Sequence, residues 1–468
     1  MTEALLARWR RTLGAAHVLN GEDAEPYLLD HRGRYHGRAL AVVFPDSTET
    51  VAQVVRDCVA QRLPMVPQGG NTGLVGGGIP DPRAPAVVIN LRRCQRIRKL
   101  DPANNTLTLE AGCTLARAQQ AAREIDRLYP LSLASEGSAT IGGNLATNAG
   151  GTQVLRYGNT RELVLGLEVV TAQGDIWNGL RGLRKDNTGY DLKQLYIGSE
   201  GTLGIITAAC LKLFAPTPTQ HAALLAVPDM AGCIALLERL EQVFGPQLTA
   251  FEVMSAASLD VVRQSFPDLR PPLAQAPWQC LIEVSSALDP AQQGAALEAA
   301  LATLLEQGRI QDAVIAQNVA EFERLWAIRE SISDAQRKQG KNLKHDISLP
   351  RSEMVRFIEH CQQRLRERLP GLIFITFGHL GDGNLHYNLT RPAHLSEADF
   401  LAQQAALAEI VHDEVHAHQG SISAEHGIGQ LKRDVLPRYK SDVELGLMKQ
   451  IKQALDPLNL MNPGKVLP

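Results

Sequence analysis

PQGGNTGLVGGG, residues 67–78, packs six glycines into the ten positions from Gly69 to Gly78, directly after the strand-like PMVPQ. Glycine adopts positive φ without a steric cost and lets a backbone approach a ligand closely. Successive N–H groups in such a loop can form a concave nest for phosphate oxygens. A loop that needed only mobility would not concentrate glycine at the end of a strand, so the stretch predicts a phosphate-binding loop.

Working outward, short β-rich runs alternate with helical ones. AVVFP (41–45), AVVINL (86–91) and TLTLEAG (106–112) read as strands, and STETVAQVVRDCVAQR (47–62) as a helix capped by Ser47 or Thr48. LVLGLEVVTAQGDIWN (163–178) predicts a strand hairpin, and the Pro–Thr stretch 216–220 a domain boundary. Beyond it come LLAVP, the helix MAGCIALLERLEQVF, the strand-like AFEVM and QCLIEVS, and the helix AALEAALATLLEQG. This is a second α/β unit. Residues 318–338 predict one amphipathic helix, GLIFITFGHLGDGNLHYNLT (371–390) two strands joined at GDG, and the remainder mostly helix.

A chain of 468 residues should hold two to four domains. The 47 Lys+Arg nearly balance 50 Asp+Glu, and aromatics are only 5%, which argues against a nucleic-acid partner. Seven cysteines, none closer than 19 residues to the next, contain no CxxC and fit a reduced, cytoplasmic location. No apolar run reaches the length of a membrane span. The amphipathic MTEALLARWRRTLGAA reads as a surface helix rather than a transit peptide.

Two further glycine segments, SEGSATIGGNLATNAGG (135–151) and IGSEGTLGIIT (197–207), set small hydroxyl and amide side chains where a pyrophosphate or a polar ring edge could be bonded. No GxGxxG follows a strand and no GxxxxGK[ST] exists, which leaves a Rossmann nicotinamide site and a P-loop without support. HLGDGNLH places His379 and His386 across a turn, and Glu425-His426 follows about 40 residues later among glycines. Two histidines and a carboxylate suit a divalent metal with one open position, although isolated histidines are more often ordinary hydrogen-bonded residues. His412 and His416 superficially resemble HExxH, but Asp413 stands where glutamate is needed, so a solvated helix face is expected. Arg329 and Ser333, spaced i,i+4, are expected on one helix face.

PQGGNTGLVGG, IGGNLATNAGG, RKDNTGYDLKQLYIGSEGTLGIIT and NPGK together resemble the FAD-binding half of the vanillyl-alcohol oxidase/p-cresol methylhydroxylase flavoproteins. Within that superfamily they are most similar to FAD-dependent D-2-hydroxyacid dehydrogenases, best to those acting on D-2-hydroxyglutarate, from about residue 38 onward. The resemblance implies an α+β protein with an N-terminal helical segment (1–37) and a two-part α/β FAD-binding domain (38–217). An α/β substrate or cap domain with a metal-site hairpin (218–390) and a helical C-terminal region returning to the flavin (391–468) complete it. FAD would lie on Pro67, Gly69, Gly70, Asn71, Thr72, Gly73 and Leu74, then on Ser135, Gly137, Gly142, Gly143, Thr147, Asn148 and Gly151. Glu200, Gly201, Gly204, Ile206 and Asn462 complete that set. Relatives with covalent flavin often carry His in the first loop, so Asn71 implies a noncovalent cofactor.

HLGDGNLHYN and SAEHGIG are similar to the family's metal motifs, implying His379, His386 and Glu425 as ligands, zinc as the expected metal, and His426 as general base. Arg329, Ser333 and Lys344 align with a carboxylate-binding trio, and Asn388 with a substrate contact. Ser333 stands where relatives often have Thr, and His345 follows Lys344 in place of a common Tyr. The implied reaction is oxidation of D-2-hydroxyglutarate to 2-oxoglutarate with hydride transfer to flavin N5. D-lactate, D-malate or glycolate are the runner-up substrates, and a flavin electron-transfer subunit without substrate chemistry is the remote reading. An electron-transfer flavoprotein or quinone-linked carrier is the implied acceptor, and a homodimer the implied assembly.

Overall fold

The computed structural model describes residues 2–468. The chain divides into two compact units: the first runs to Gly151, resumes at Gly158–Ala215 and closes with Glu425–Pro468, and the second comprises Thr152–Tyr157 and Pro216–Ala424.

The first unit contains two sheets. β1 (Val18–Leu19), β2 (Ala39–Val43), β3 (Met65–Gln68) and β4 (Ala86–Asn90) form one, in the order β1-β2-β4-β3. β2, β4 and β3 run parallel, with Val88 opposite Val42 and Val66. All five residues of β4 are buried, which is why AVVIN reads as an unbroken apolar run and not an alternating one. Ser47 caps the crossover helix Thr48–Ala60 through a capping box with Thr50, as the sequence leads one to expect. β5 (Ile97–Asp101), β6 (Thr106–Glu110), β7 (Val164–Thr171), β8 (Ile176–Gly179) and β9 (Gly204–Lys212) form an antiparallel sheet, ordered β5-β6-β9-β7-β8.

The second unit is built on one antiparallel sheet of seven strands. β10 (Thr219–Val227), β11 (Leu248–Ser255), β12 (Trp278–Ser286), β13 (Asp312–Ile315), β14 (Asp346–Ser348), β15 (Ile373–His379) and β16 (Asn384–Thr390) are ordered β13-β10-β12-β11-β15-β16-β14. Leu224, Met254, Leu281, Ile375 and Phe377 from its strands pack with Leu259, Val262, Ile328 and Ile332 from helices into one core.

The fold class is therefore mixed α and β, as expected, with two local corrections. The single helix expected over 318–338 is two, Val319–Glu330 and Ile332–Lys338, hinged at Ser331 (φ −70°, ψ −12°). Serine followed by β-branched isoleucine is a weak helix-propagating pair, and burying Ile332 in the core fixes the bend. The helix Gln404–Ala417 is not a solvated one: Leu407, Val411, His412 and Val415 are all buried. The His412 ring sits edge-on to His345 with centroids 5.9 Å apart, a buried placement that a polar reading of VHDEVHAH misses.

Candidate active site

In the first unit the loop after β3 leaves the carboxyl end of a parallel strand and opens a cleft. Pro67, Gly69, Gly70, Asn71, Thr72 and Gly73 line one side, and Gly142, Gly143, Asn144 and Thr147 another. Glu200, Gly201, Gly204, Ile206 and His426 complete the wall. A Cβ on Gly70 would come within 1.9 Å of the Ser138 carbonyl oxygen, so this glycine holds two loops together as well as shaping the cleft. Asn71 takes positive φ (54°), a conformation asparagine tolerates, and donates from Nδ2 to the Leu29 carbonyl at 2.9 Å. Gly142 donates its N–H to the Ala111 carbonyl (2.8 Å), and a Cβ there would approach the Ala111 Cβ within 2.8 Å, so its small size seats the helix Ile141–Thr147 on the adjoining strand end.

Asn144 Nδ2 is buried beside this cleft with no hydrogen-bond partner. An orphaned amide donor in a glycine-lined wall fits an acceptor-rich ligand such as a dinucleotide.

His426 reaches the cleft wall because its loop is tied down by Glu200. The Glu200 carboxylate accepts from Ile428 N (2.7 Å) and Gly429 N (2.8 Å), while its backbone carbonyl accepts from Asn462 Nδ2 (2.7 Å). Burial pushes the Glu200 carboxyl upward, and the two N–H bonds and the charges of Lys432 and Lys465 oppose that shift. Asn462 N also donates to the Met65 carbonyl (2.7 Å), fastening the return segment beside β3. Asn148 caps the helix Ile141–Thr147 in the left-handed region, and Gly151 donates its N–H to Glu425 Oε1 at 3.3 Å.

The second unit gathers a different set on its sheet. Glu252 of β11 is fully buried; His379 Nδ1 is hydrogen-bonded to its Oε1, and Arg329 Nε donates to its Oε2 at 2.6 Å. Burial alone would raise the Glu252 carboxyl, but Arg329 and His379 overcome it and hold it at about 2. The Arg329 guanidinium also lies 4.8 Å from the Phe377 ring centroid. His386 faces Phe377 in the β15–β16 register, and its ring lies 6.1 Å from that of His379. Asp346, paired with His386 across β14–β16, sits 4.0 Å from its Nδ1.

Known proteins bear on this arrangement. An FAD binding domain model matches residues 39–179, and the model of the C-terminal domain of FAD linked oxidases matches residues 217–466. The D-2-hydroxyglutarate dehydrogenase of Xanthomonas citri pv. viticola is 40% identical over 95% of this chain and 92% of that protein. The mitochondrial D-2-hydroxyglutarate dehydrogenase of Bos taurus is 38% identical over 100% of this chain and 84% of its own length. The chain belongs to the D-2-hydroxyglutarate dehydrogenase family. Its fold is shared with p-cresol methylhydroxylase, at a TM-score of 0.78 and 17% identity over 99% of this chain and 96% of that one. As a family member it is an FAD-dependent oxidoreductase acting on a CH–OH donor.

Several residues of the first unit expected to bind FAD in this dehydrogenase family member stand apart from the cleft wall. Leu74, Ser135, Gly137, Asn148, Gly151 and Asn462 support the lining loops and do not line the cleft. Asn388 is buried, with Oδ1 accepting from His345 N (3.2 Å) and Nδ2 donating to Gln336 Oε1 (2.9 Å). Arg329 is buried and Lys344 half-buried, whereas Ser333 is exposed beyond the bend at Ser331. Glu252 and Asp346 were missed by sequence reading. The signal existed for Glu252: a lone carboxylate inside the apolar strand AFEVM must be paired once buried.

Proposed function

We infer that the protein oxidises D-2-hydroxyglutarate to 2-oxoglutarate, with small 2-hydroxy acids as its substrate class. The observation that carries this reading is His426 in the wall of the glycine cleft, on a loop that Glu200 fixes from inside. The loop after β3 and the helix Ile141–Thr147 would hold FAD, which when bound would supply a two-electron acceptor for the C2 hydride. His426 accepts the proton of the 2-hydroxyl, which a positioned imidazole does well near neutral pH.

His379, His386 and Glu425 are the residues that would hold a divalent metal, zinc being the reading, to lower the hydroxyl pKa as a Lewis acid. What supports it is the donor chemistry. Glu252 takes the Nδ1 side of His379, so the ring would meet a metal through Nε2, oriented as carboxylate-bonded ligand histidines are. Arg329, Ser333, Lys344 and Asn388 are proposed to hold the distal carboxylate. Because Arg329 Nε is engaged by Glu252, its terminal nitrogens are the part offered to substrate.

The same engagement favours a second reading, in which the cation mainly orders Glu252 and the substrate is the smaller D-lactate or glycolate. We further propose an electron-transfer flavoprotein or quinone-linked carrier as acceptor, a homodimer, and a cytoplasmic location. The location is supported by seven buried, unpaired cysteines. An anaerobic titration decides the substrate: D-2-hydroxyglutarate should bleach the flavin absorbance far faster than D-lactate, D-malate or glycolate. Faster bleaching by D-lactate would transfer the assignment to the second reading.

A further inference from the structure

We propose that the second unit carries another divalent transition-metal site, formed by His360, Glu414 and His418 and distinct from the histidine–glutamate set above. His360 projects from the helix Met354–Arg368. Glu414 lies in the helix Gln404–Ala417 and His418 caps that helix, four residues on. One ligand atom from each of the three lies within 4.8 Å of the others. The His360 and His418 ring centroids are 5.4 Å apart.

Two details make this more than proximity. Glu414 Oε2 stands 3.7 Å from His418 Nε2, too far for a hydrogen bond. Two ligands on a tetrahedral metal with arms of about 2.0 Å sit about 3.3 Å apart, so a small inward shift is all that binding requires. The opposite face of the same ring is already set: His418 Nδ1 donates to Glu353 Oε2 at 2.9 Å, which directs the Nε2 lone pair toward Glu414. Ligand histidines commonly show that carboxylate partner on the other nitrogen.

Glu414 is prepared in the same way. Arg364 Nη1 donates to Oε1 at 2.6 Å, leaving Oε2 to face the histidine. Arg356 holds the second oxygen of Glu353 at 3.1 Å, and Phe357 packs against the His418 ring. His418 and Glu414 are buried while His360 is exposed, so a fourth position opens to water. Two imidazoles and one carboxylate suit Zn²⁺, with Co²⁺, Ni²⁺ and Cu²⁺ as competitors. The ion would clasp two helices that the chain connects through the β15–β16 hairpin and the short helix Glu397–Ala402.

The test titrates metal-free, FAD-loaded protein with Zn²⁺ alone, following bound equivalents by chelator competition and the melting temperature in parallel. Wild type should take up one Zn²⁺ per chain more than His360→Ala, and its Zn²⁺-dependent rise in melting temperature should exceed that of the variant. Glu353→Gln should keep the ion but bind it at least tenfold more weakly. His360 is exposed, so His360→Ala should retain the metal-free melting temperature; His360→Gln repeats the measurement should alanine disturb the helix. The difference between wild type and variant is independent of any metal at His379 and His386. Equal equivalents and equal melting shifts in wild type and both His360 variants overturn the site and leave His418 as a hydrogen-bonding partner of Glu353.

Discussion

The glycine cleft of the first unit and the polar cluster of the second are made of opposite materials. The cleft is walled largely by backbone and small side chains, with Asp30, Glu200 and His426 as its titratable groups. The cluster is made of side chains alone: Glu252, Arg329, His379 and His386 project from separate strands and a helix and order one another through charge. A backbone cleft depends on what is missing at particular positions, and one methyl added at Gly70 would collide with the Ser138 carbonyl that its loop packs against. A charged cluster depends on what is present, and removing one member leaves the others buried without compensation.

The largest expected effect is at the cleft's histidine. His426→Ala should slow flavin reduction by D-2-hydroxyglutarate by about 10²–10⁴ while FAD stays bound, read by anaerobic stopped flow. Normal reduction would show that the reaction does not use His426.

Next comes the charged cluster itself. Glu252→Gln leaves Arg329 and His379 facing a neutral amide and should cost about 3–5 kcal/mol in denaturant unfolding. Zn²⁺ affinity at His379 should fall about 10–100-fold in the same variant. A stable variant with wild-type metal affinity would mean that this glutamate is only filler.

Gly70→Ala should cost about 1–3 kcal/mol through overpacking against Ser138 and release FAD, measured by flavin retained on gel filtration. Retained flavin would show that the two loops can part without loss of the cleft.

The pH response separates the regions by sign. Glu252 is held at about 2 against an ordinary 4.5, so the folded state binds its proton more weakly than the unfolded chain. Its contribution is whole above about 4.5 and drains as pH falls toward about 2. Glu200 is shifted upward by burial, so its contribution is whole below its ordinary range and declines as pH rises. Melting temperatures of chelator-treated protein should therefore show Glu252→Gln flattening the acid limb and Glu200→Gln the opposite one. Ser333→Ala, exposed beyond the bend, should change stability by under about 0.5 kcal/mol and raise KM for D-2-hydroxyglutarate about two- to tenfold; an unchanged KM would remove this hydroxyl from the substrate grip.

The same contrast explains what could be read from the sequence. Six glycines after a strand are a local pattern, and the cleft appears where PQGGNTGLVGGG places it. AVVIN announced a buried parallel strand for the same reason, since burial on both faces writes a continuous apolar run. Glu252 and Asp346 stayed hidden because their meaning is a cross-strand register: Glu252 opposite His379, and Asp346 opposite His386. No spacing along one strand encodes that pairing. The bend at Ser331 is hidden similarly, because the core that buries Ile332 comes from strands far away in the chain.

The return of residues 425–468 to the first unit has a consequence for synthesis. Met461 pairs with Met65, and Asn462 closes on Gly77 and Glu200. At about 5–20 residues per second, the ribosome needs about 20–80 s between making those two methionines. Throughout that interval the nascent glycine loop lacks its closing segment, whereas the second unit is complete once Ala424 is made, before Met461. Cofactor capture by the first unit is thus a late, post-translational event, and cells short of FAD should accumulate chains whose second unit resists proteolysis while the first is still cut.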